Sequence, residues 1–153
     1  MSLPNKPEVN SNLASASSVP SPSPLGAPTA LIVDDNEFNR DIVRIALQSQ
    51  GYIVTDYEDP VAAVGFLKER TFDLLVLDLQ MPVLDGQQVL TIVRANPIHN
   101  VMHIIVLTAH SQMDTMEIQK NADFIMYKPI SVPAFAQFAH RLQTARKRTP
   151  SQE

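Results

Sequence analysis

Asp34-Asp35, Asp78, Thr108 and Lys128 each stand at the end of a short aliphatic run. If those runs are strands ending at one sheet edge, three carboxylates, a hydroxyl and an amine meet in a single cleft. Three adjacent carboxylates repel one another, and without compensation at least one has its pKa raised. A hard divalent cation relieves that repulsion. Oxygen-only ligands with room for water favour Mg²⁺ over a transition metal. Phosphoryl transfer uses the same set of groups, because its transition state needs positioning and charge stabilisation more than covalent chemistry. A carboxylate can serve as nucleophile and form an acyl phosphate. Mg²⁺ can bridge acceptor and phosphoryl oxygens. Lysine supplies a mobile point charge to one phosphoryl oxygen, and a threonine hydroxyl can donate to another. Pro129 keeps Lys128 out of helical space and permits a cis bond, and both effects can aim the amine at the cleft. Singly, each group has a plainer reading. Asp34 or Asp35 is a turn or cap residue, Thr108 a β-branched strand end, and Lys128 a surface amine. The signal lies in their convergence.

The elements that must position these groups follow from the apolar pattern. Short runs rich in Ile, Val and Leu occur at Ala30–Val33, Tyr52–Thr55, Phe72–Leu77, His103–Leu107 and Asp123–Tyr127, which suits buried strands. Helical spacing separates them. Phe38, Ile42, Ile45 and Ala46 predict one helix face, and Val61, Val64 and Leu67 a second, started by Asp59-Pro60. Val89, Ile92 and Val93 predict a third, ended by Asn96-Pro97. A short fourth helix falls within Gln112–Lys120, with Met113, Met116 and Ile118 as its apolar residues. Ser131 caps a fifth whose face is Phe135, Phe138, Ala139 and Leu142. Five βα units imply an α/β fold, a parallel sheet with helices on both faces and right-handed crossovers. Ligands of such sheets bind outside the carboxyl ends of the strands, where the acidic groups stand.

The chain has 153 residues, 44% of them hydrophobic, so a core can form. A net charge of −4 offers no general attraction for nucleic acid. The absence of cysteine excludes disulfides and zinc–thiolate sites and fits a reducing, cytoplasmic setting. No stretch approaches the ~18 apolar residues of a spanning helix, and no secretory leader is visible, so no membrane insertion is expected. Residues 1–28 carry Pro4, Pro7, Pro20, Pro22, Pro24 and Pro28 among Ser, Asn and Ala. They read as a disordered, partly extended tail, first of all a solvated leader, with a tether or a docking segment for a partner as the functional alternatives.

The segments VDDNEFNR at 33–40, LDLQMPVLDG at 77–86, TAH at 108–110 and YKPI at 127–130, in that order and at those separations, closely resemble the receiver domain of two-component response regulators. The resemblance covers residues 29–145, with 146–153 left as a short basic and polar tail. It implies a flavodoxin-like, doubly wound five-stranded sheet of order 2-1-3-4-5. It implies Asp78 as phosphoacceptor, and Asp35, Asp78 and the backbone carbonyl of Gln80 as direct Mg²⁺ ligands. Asp34 would act mainly through a metal-bound water, and Thr108 and Lys128 would hold the phosphoryl group. Met81-Pro82 and Asp85-Gly86 would shape the loop and start the third helix. The implied function is a stand-alone phosphorelay switch rather than an enzyme, one that assists its own phosphorylation and dephosphorylation. Its donor would be a histidine kinase or a histidine phosphotransfer protein. Output would pass to a downstream protein partner, since only a short stretch follows the last helix. Receivers often pair through the fourth-helix face, so a homodimer is among the expected assemblies.

The chain departs from the family pattern at three places. Ile125 stands where an aromatic residue usually precedes the lysine by three positions. Phe124 and Tyr127 are out of register, and alternation along the strand is expected to put them on the face opposite Ile125. The Thr108–Lys128 interval is about two residues shorter than usual, and Asn121, which tolerates positive φ, replaces a common glycine. Signal transmission without an aromatic flip is the expectation. His99 and His103 have no acidic or cysteine partner that would make a metal site. His110 reads as a loop histidine near the cleft mouth, where receivers tune acyl-phosphate hydrolysis. Arg141, Arg146, Lys147 and Arg148 suit a helix C-terminus rather than a nucleic-acid patch. Two rival functions remain. One is a binding module that keeps the fold without switching. The other is an aspartyl-phosphate phosphatase, disfavoured by Gln80, which stands where such enzymes carry a second acid. The glycines are not clustered, so no phosphate-cradling nucleotide loop is expected.

Overall fold

A computed structural model describes residues 26–109 and 116–148. The elements alternate in the expected order: β1 (Thr29–Val33), α1 (Glu37–Ser49), β2 (Ile53–Tyr57), α2 (Pro60–Leu67), β3 (Leu74–Asp78), α3 (Gly86–Arg94), a 3₁₀ turn (Pro97–His99), β4 (His103–Thr108), α4 (Met116–Asn121), β5 (Phe124–Tyr127) and α5 (Val132–Arg148). The strands pair in parallel in the order β2-β1-β3-β4-β5. Every residue of β3 is buried, as befits a central strand covered on both faces.

Alternation along the strands divides the core in two. Leu31, Val33, Leu75, Leu77, Ile104 and Val106 face Ala63, Leu67, Val89, Leu90, Val93 and Ile118 from α2, α3 and α4. Ala30, Ile32, Leu74, Val76, Ile105 and Leu107 face Val43, Ala46, Leu47, Phe135, Ala139 and Leu142 from α1 and α5. Local chemistry starts the helices where the chain turns back from the sheet. Asn36, Asp59 and Asp85 cap α1, α2 and α3, and Asp85 completes a capping box with Gln88. Ser131 Oγ accepts from the Ala134 amide at the start of α5. Asn96 starts the 3₁₀ turn that follows α3.

Several expected helix faces are corrected. On α1 the buried set is Val43, Ala46 and Leu47, while Phe38 is 71% and Ile45 54% exposed. Helix α1 carries apolar residues on two sides, and periodicity does not say which side meets the sheet. On α2, Ala63 rather than Val61 is buried, and on α3, Leu90 rather than Ile92. In both, the residue toward the sheet lies two positions from the expected one. Ile118 of α4 is buried and Met116 is exposed, while Met113 lies outside the described residues, as do residues 1–25 and His110. Asn121 ends α4; among described non-glycine residues, only Val83 has positive φ, at 72°. Phe124 and Met126 pack on the α1–α5 side and Ile125 on the other. Tyr127, two residues past Ile125, therefore shares the side of Ile125, contrary to expectation. His99 is buried with Nε2 2.8 Å from the Leu67 carbonyl, so it joins α2 to the 3₁₀ turn. Arg141 stacks over Phe138, and the side chains of 146–148 are outside the described set.

Candidate functional site

Strand register sets the site. Val33 pairs with Leu77, so Asp34 leaves β1 level with Asp78 at the end of β3. Asp78 pairs with Leu107, which places Thr108 one step beyond it, and Thr108 pairs with Tyr127, which places Lys128 directly after. The four strand ends thus bring Asp34, Asp35, Asp78, Thr108 and Lys128 to one edge, as expected from the order of the apolar runs. The Lys128 Nζ donates to Asp78 Oδ1 at 3.1 Å and lies 3.6 Å from Asp34 Oδ2. The Lys128–Pro129 peptide is cis, and the Lys128 amide donates to the Thr108 carbonyl at 2.8 Å.

The loops around this edge are tied to it. The Gln80 amide donates to Asp78 Oδ1 at 3.2 Å, and Gln80 Oε1 accepts from the Ala109 amide at 3.1 Å, joining the β3–α3 and β4–α4 loops. Sequence reasoning assigned Gln80 only a carbonyl role and missed this side-chain bridge. Further along, the Leu84 amide donates to the Pro82 carbonyl at 2.8 Å around Val83, a γ-turn. A β-branched residue at positive φ stores local strain.

Carboxylate oxygens of Asp34, Asp35 and Asp78 lie within 4.8 Å of one another. At that separation a like-charge pair costs about 3 kcal/mol in a medium of effective dielectric near 20. Asp34 and Asp78 are each 2% exposed, whereas Asp35 is open to solvent. Burial pushes the Asp34 carboxyl up to about 6, helped by the charges of Asp78 and Asp35 and opposed by the Asn36 amide and Lys128. Asp34 Oδ1 accepts from the Asn36 amide at 2.9 Å, but Oδ2 is buried without a hydrogen-bond partner. A lone pair of this kind beside two more carboxylates fits a cation. The three aspartates and Lys128 sum to a formal charge of −2, which one divalent ion neutralises. Oxygen donors, one of them on the solvent side, fit Mg²⁺ with part of its hydration retained.

The sign of the Asp34 shift yields a stability prediction. A carboxyl raised on folding leaves the folded state holding more protons than the unfolded chain. Metal-free protein therefore loses stability as pH rises from about 4 to about 6, by up to about 3 kcal/mol from this group. Urea denaturation in EDTA at pH 5 and pH 7 should show about half of this loss in wild type, since pH 5 lies mid-way through the window, and much less of it in Asp34→Asn. Mg²⁺ should raise the midpoint at pH 7 and have little effect at pH 5. Equal pH slopes for the two proteins would contradict this account of the site.

The response regulator receiver domain family matches residues 30–139. The chain belongs to that family. The receiver is a signalling fold of two-component systems rather than a classical enzyme family, and the expected sheet order and family resemblance hold. Sensor protein GacS of Pseudomonas syringae is 33% identical over 132 residues, which cover 83% of this chain and 15% of that protein. The chain thus spans only a small part of such a sensor kinase. Chemotaxis protein CheY of Halobacterium salinarum is 32% identical over 110 residues, 71% of this chain and 90% of that one. Among solved structures, the receiver domain of a Syntrophus aciditrophicus signal transduction histidine kinase superposes with a TM-score of 0.70 at 28% identity, covering 83% of this chain and 98% of that one. The receiver domain of a Pseudomonas aeruginosa sensor histidine kinase, with a magnesium ion coordinated in its active site cleft, gives 0.67 at 27% identity over 75% and 96%. Among the described residues, no helix of this receiver is long and apolar enough to cross a membrane.

Proposed function

We propose that this receiver accepts a phosphoryl group on Asp78 from a phosphohistidine and switches protein–protein contacts as a result. The observation that carries the reading is the placement of Asp78 at the end of the central strand. It lies level with Asp34, one register step from Thr108 and in contact with the Lys128 amine. In the transfer, an Asp78 carboxylate oxygen bonds to phosphorus as the phosphorus–nitrogen bond of the donor breaks and the imidazole leaves. Lys128 shifts from Asp78 to a phosphoryl oxygen, and the Thr108 hydroxyl donates to another. Asp35, Asp78 and the Gln80 carbonyl would hold Mg²⁺, with Asp34 acting through a bound water. When bound, the ion supplies positive charge beside the phosphoryl oxygens. Autodephosphorylation, a cytoplasmic setting and a separate downstream partner complete the proposal. The test of the chemistry is a Mg²⁺-dependent label from acetyl phosphate that neutral hydroxylamine removes, as an acyl phosphate requires. A label that resists hydroxylamine would exclude Asp78.

The corrected α1 face supports a protein donor. Phe38 lies three residues past Asp35, in the first turn of α1, and Ile45 lies two turns further along the same helix. Both are largely exposed. Large apolar side chains left in water beside a reactive cleft suit a partner surface. Phe38→Ala should slow transfer from a phosphohistidine protein roughly tenfold or more, the loss of one aromatic anchor. It should leave labelling by acetyl phosphate unchanged. Equal slowing with both donors would place the effect in the cleft, not in docking.

A further inference from the structure

We infer that Arg40 is a positioning residue for the acidic site, orienting the Asp34–Asp35 pair for Mg²⁺; the inference rests on the metal reading proposed above. Arg40 lies in α1, and its side chain is only 12% exposed. Its Nη1 donates to the main-chain carbonyl of Asp34 at 2.9 Å. That carbonyl belongs to the peptide plane joining Asp34 to Asp35, so fixing it fixes how the second carboxylate leaves the strand relative to the first. The other side of Asp34 is fixed as well, because its amide donates to the Tyr57 carbonyl at 3.2 Å.

The guanidinium is itself held. Its Nε lies 3.8 Å from Asp56 Oδ2 and its Nη2 3.9 Å from Glu58 Oε1, at and just beyond the end of β2. Asp56 is shared with Arg44, which also pairs with Asp41. Asp56 and Glu58 set negative charge against the guanidinium, which weakens its field at the metal cluster. Its effect on the site is through geometry. Together the Tyr57 carbonyl, the Asn36 amide and Arg40 take up the Asp34 backbone and Oδ1, and leave Oδ2 facing the cleft with no hydrogen bond and only the 3.6 Å ion pair to Lys128. Partners behind metal ligands commonly set affinity tenfold or more.

Geometry and charge predict opposite signs. Removing a cation near an acidic cluster tightens Mg²⁺ binding if only its charge acts. Removing the bond that fixes the Asp34–Asp35 plane weakens it. The experiment is a Mg²⁺ titration of the full chain, followed by backbone amide chemical shifts. It compares wild type, Arg40→Met, Arg40→Lys and Asp56→Asn, with thermal midpoints measured in EDTA. Arg40→Met is expected to raise the Mg²⁺ Kd about tenfold. Arg40→Lys, which keeps a donor, should recover most of that loss, and Asp56→Asn should change it little. If Arg40→Met does not fold, Arg40→Lys against Arg40→Leu carries the same comparison of a donor with none. An unchanged or tighter Kd in the folded Met or Leu variant overturns the inference and leaves Arg40 as a tie between α1 and β2. Absence of Mg²⁺ binding in wild type overturns the metal reading itself, and the inference with it.

Discussion

Incubated with acetyl phosphate and Mg²⁺, wild-type protein should gain one phosphoryl group by intact mass, and Asp78→Asn should gain none. The asparagine is nearly isosteric, so the fold and the Lys128 contact survive. An amide cannot form the acyl phosphate, so the loss should be complete. Asp78 is singled out from its neighbours by its surroundings. Its Oδ1 meets both the Lys128 amine and the Gln80 amide, and Thr108 follows its cross-strand partner Leu107. Asp34 instead gives Oδ1 to the Asn36 amide at the start of α1. Asp34→Asn should therefore label slowly and demand more Mg²⁺, yet still label. EDTA should abolish labelling of wild type. Phosphate on Asp78→Asn at the wild-type rate would move the acceptor to another aspartate. Failure of wild type with both acetyl phosphate and phosphohistidine donors would leave a binding module with an acidic cation site.

Gly86→Ala should destabilise the protein by roughly 3 kcal/mol or more, the range of overpacking against an element that cannot yield. Helix propensity alone predicts the opposite sign, since alanine exceeds glycine by about 1 kcal/mol within a helix. Packing wins here. A Cβ at Gly86 would lie 2.3 Å from the Asp78 carbonyl oxygen and 2.5 Å from the Leu79 Cα. Both are main-chain atoms of the segment that carries Asp78, and the Gly86 amide donates to the Leu79 carbonyl at 3.1 Å. To relieve the clash, α3 must lift from the end of β3, which also disturbs Asp78. Gly65→Ala in α2 is the matched control, because its Cβ would meet nothing within 4 Å. It should raise stability by about 0.5–1 kcal/mol. Chemical denaturation of the two variants checks both signs. A stabilised Gly86→Ala would mean that α3 does not sit this close to β3.

The reactive groups and the elements beneath them were legible in the amino-acid order. Short continuous aliphatic runs mark buried strands, polar caps mark helix starts, and a parallel sheet must present its strand ends at one edge. Those rules are local or topological, so residue types suffice to place Asp34, Asp35, Asp78, Thr108 and Lys128 together. The helix faces were not legible in the same way. Phe38, Ile45, Val61 and Ile92 fit helical spacing as well as the residues that are buried, and only docking against the sheet selects Val43, Leu47, Ala63 and Leu90. Burial is a property of the partner surface, which periodicity within one helix does not contain. The Gln80 bridge to Ala109, the Arg40 bond to the Asp34 carbonyl and the close approach of Gly86 to Asp78 likewise join residues far apart in sequence or loops of irregular shape. Chain order determined which chemistry this receiver carries. Tertiary packing decided how tightly the acidic pair is aimed and which apolar side chains stay in water, because both depend on distances between elements rather than on the elements themselves.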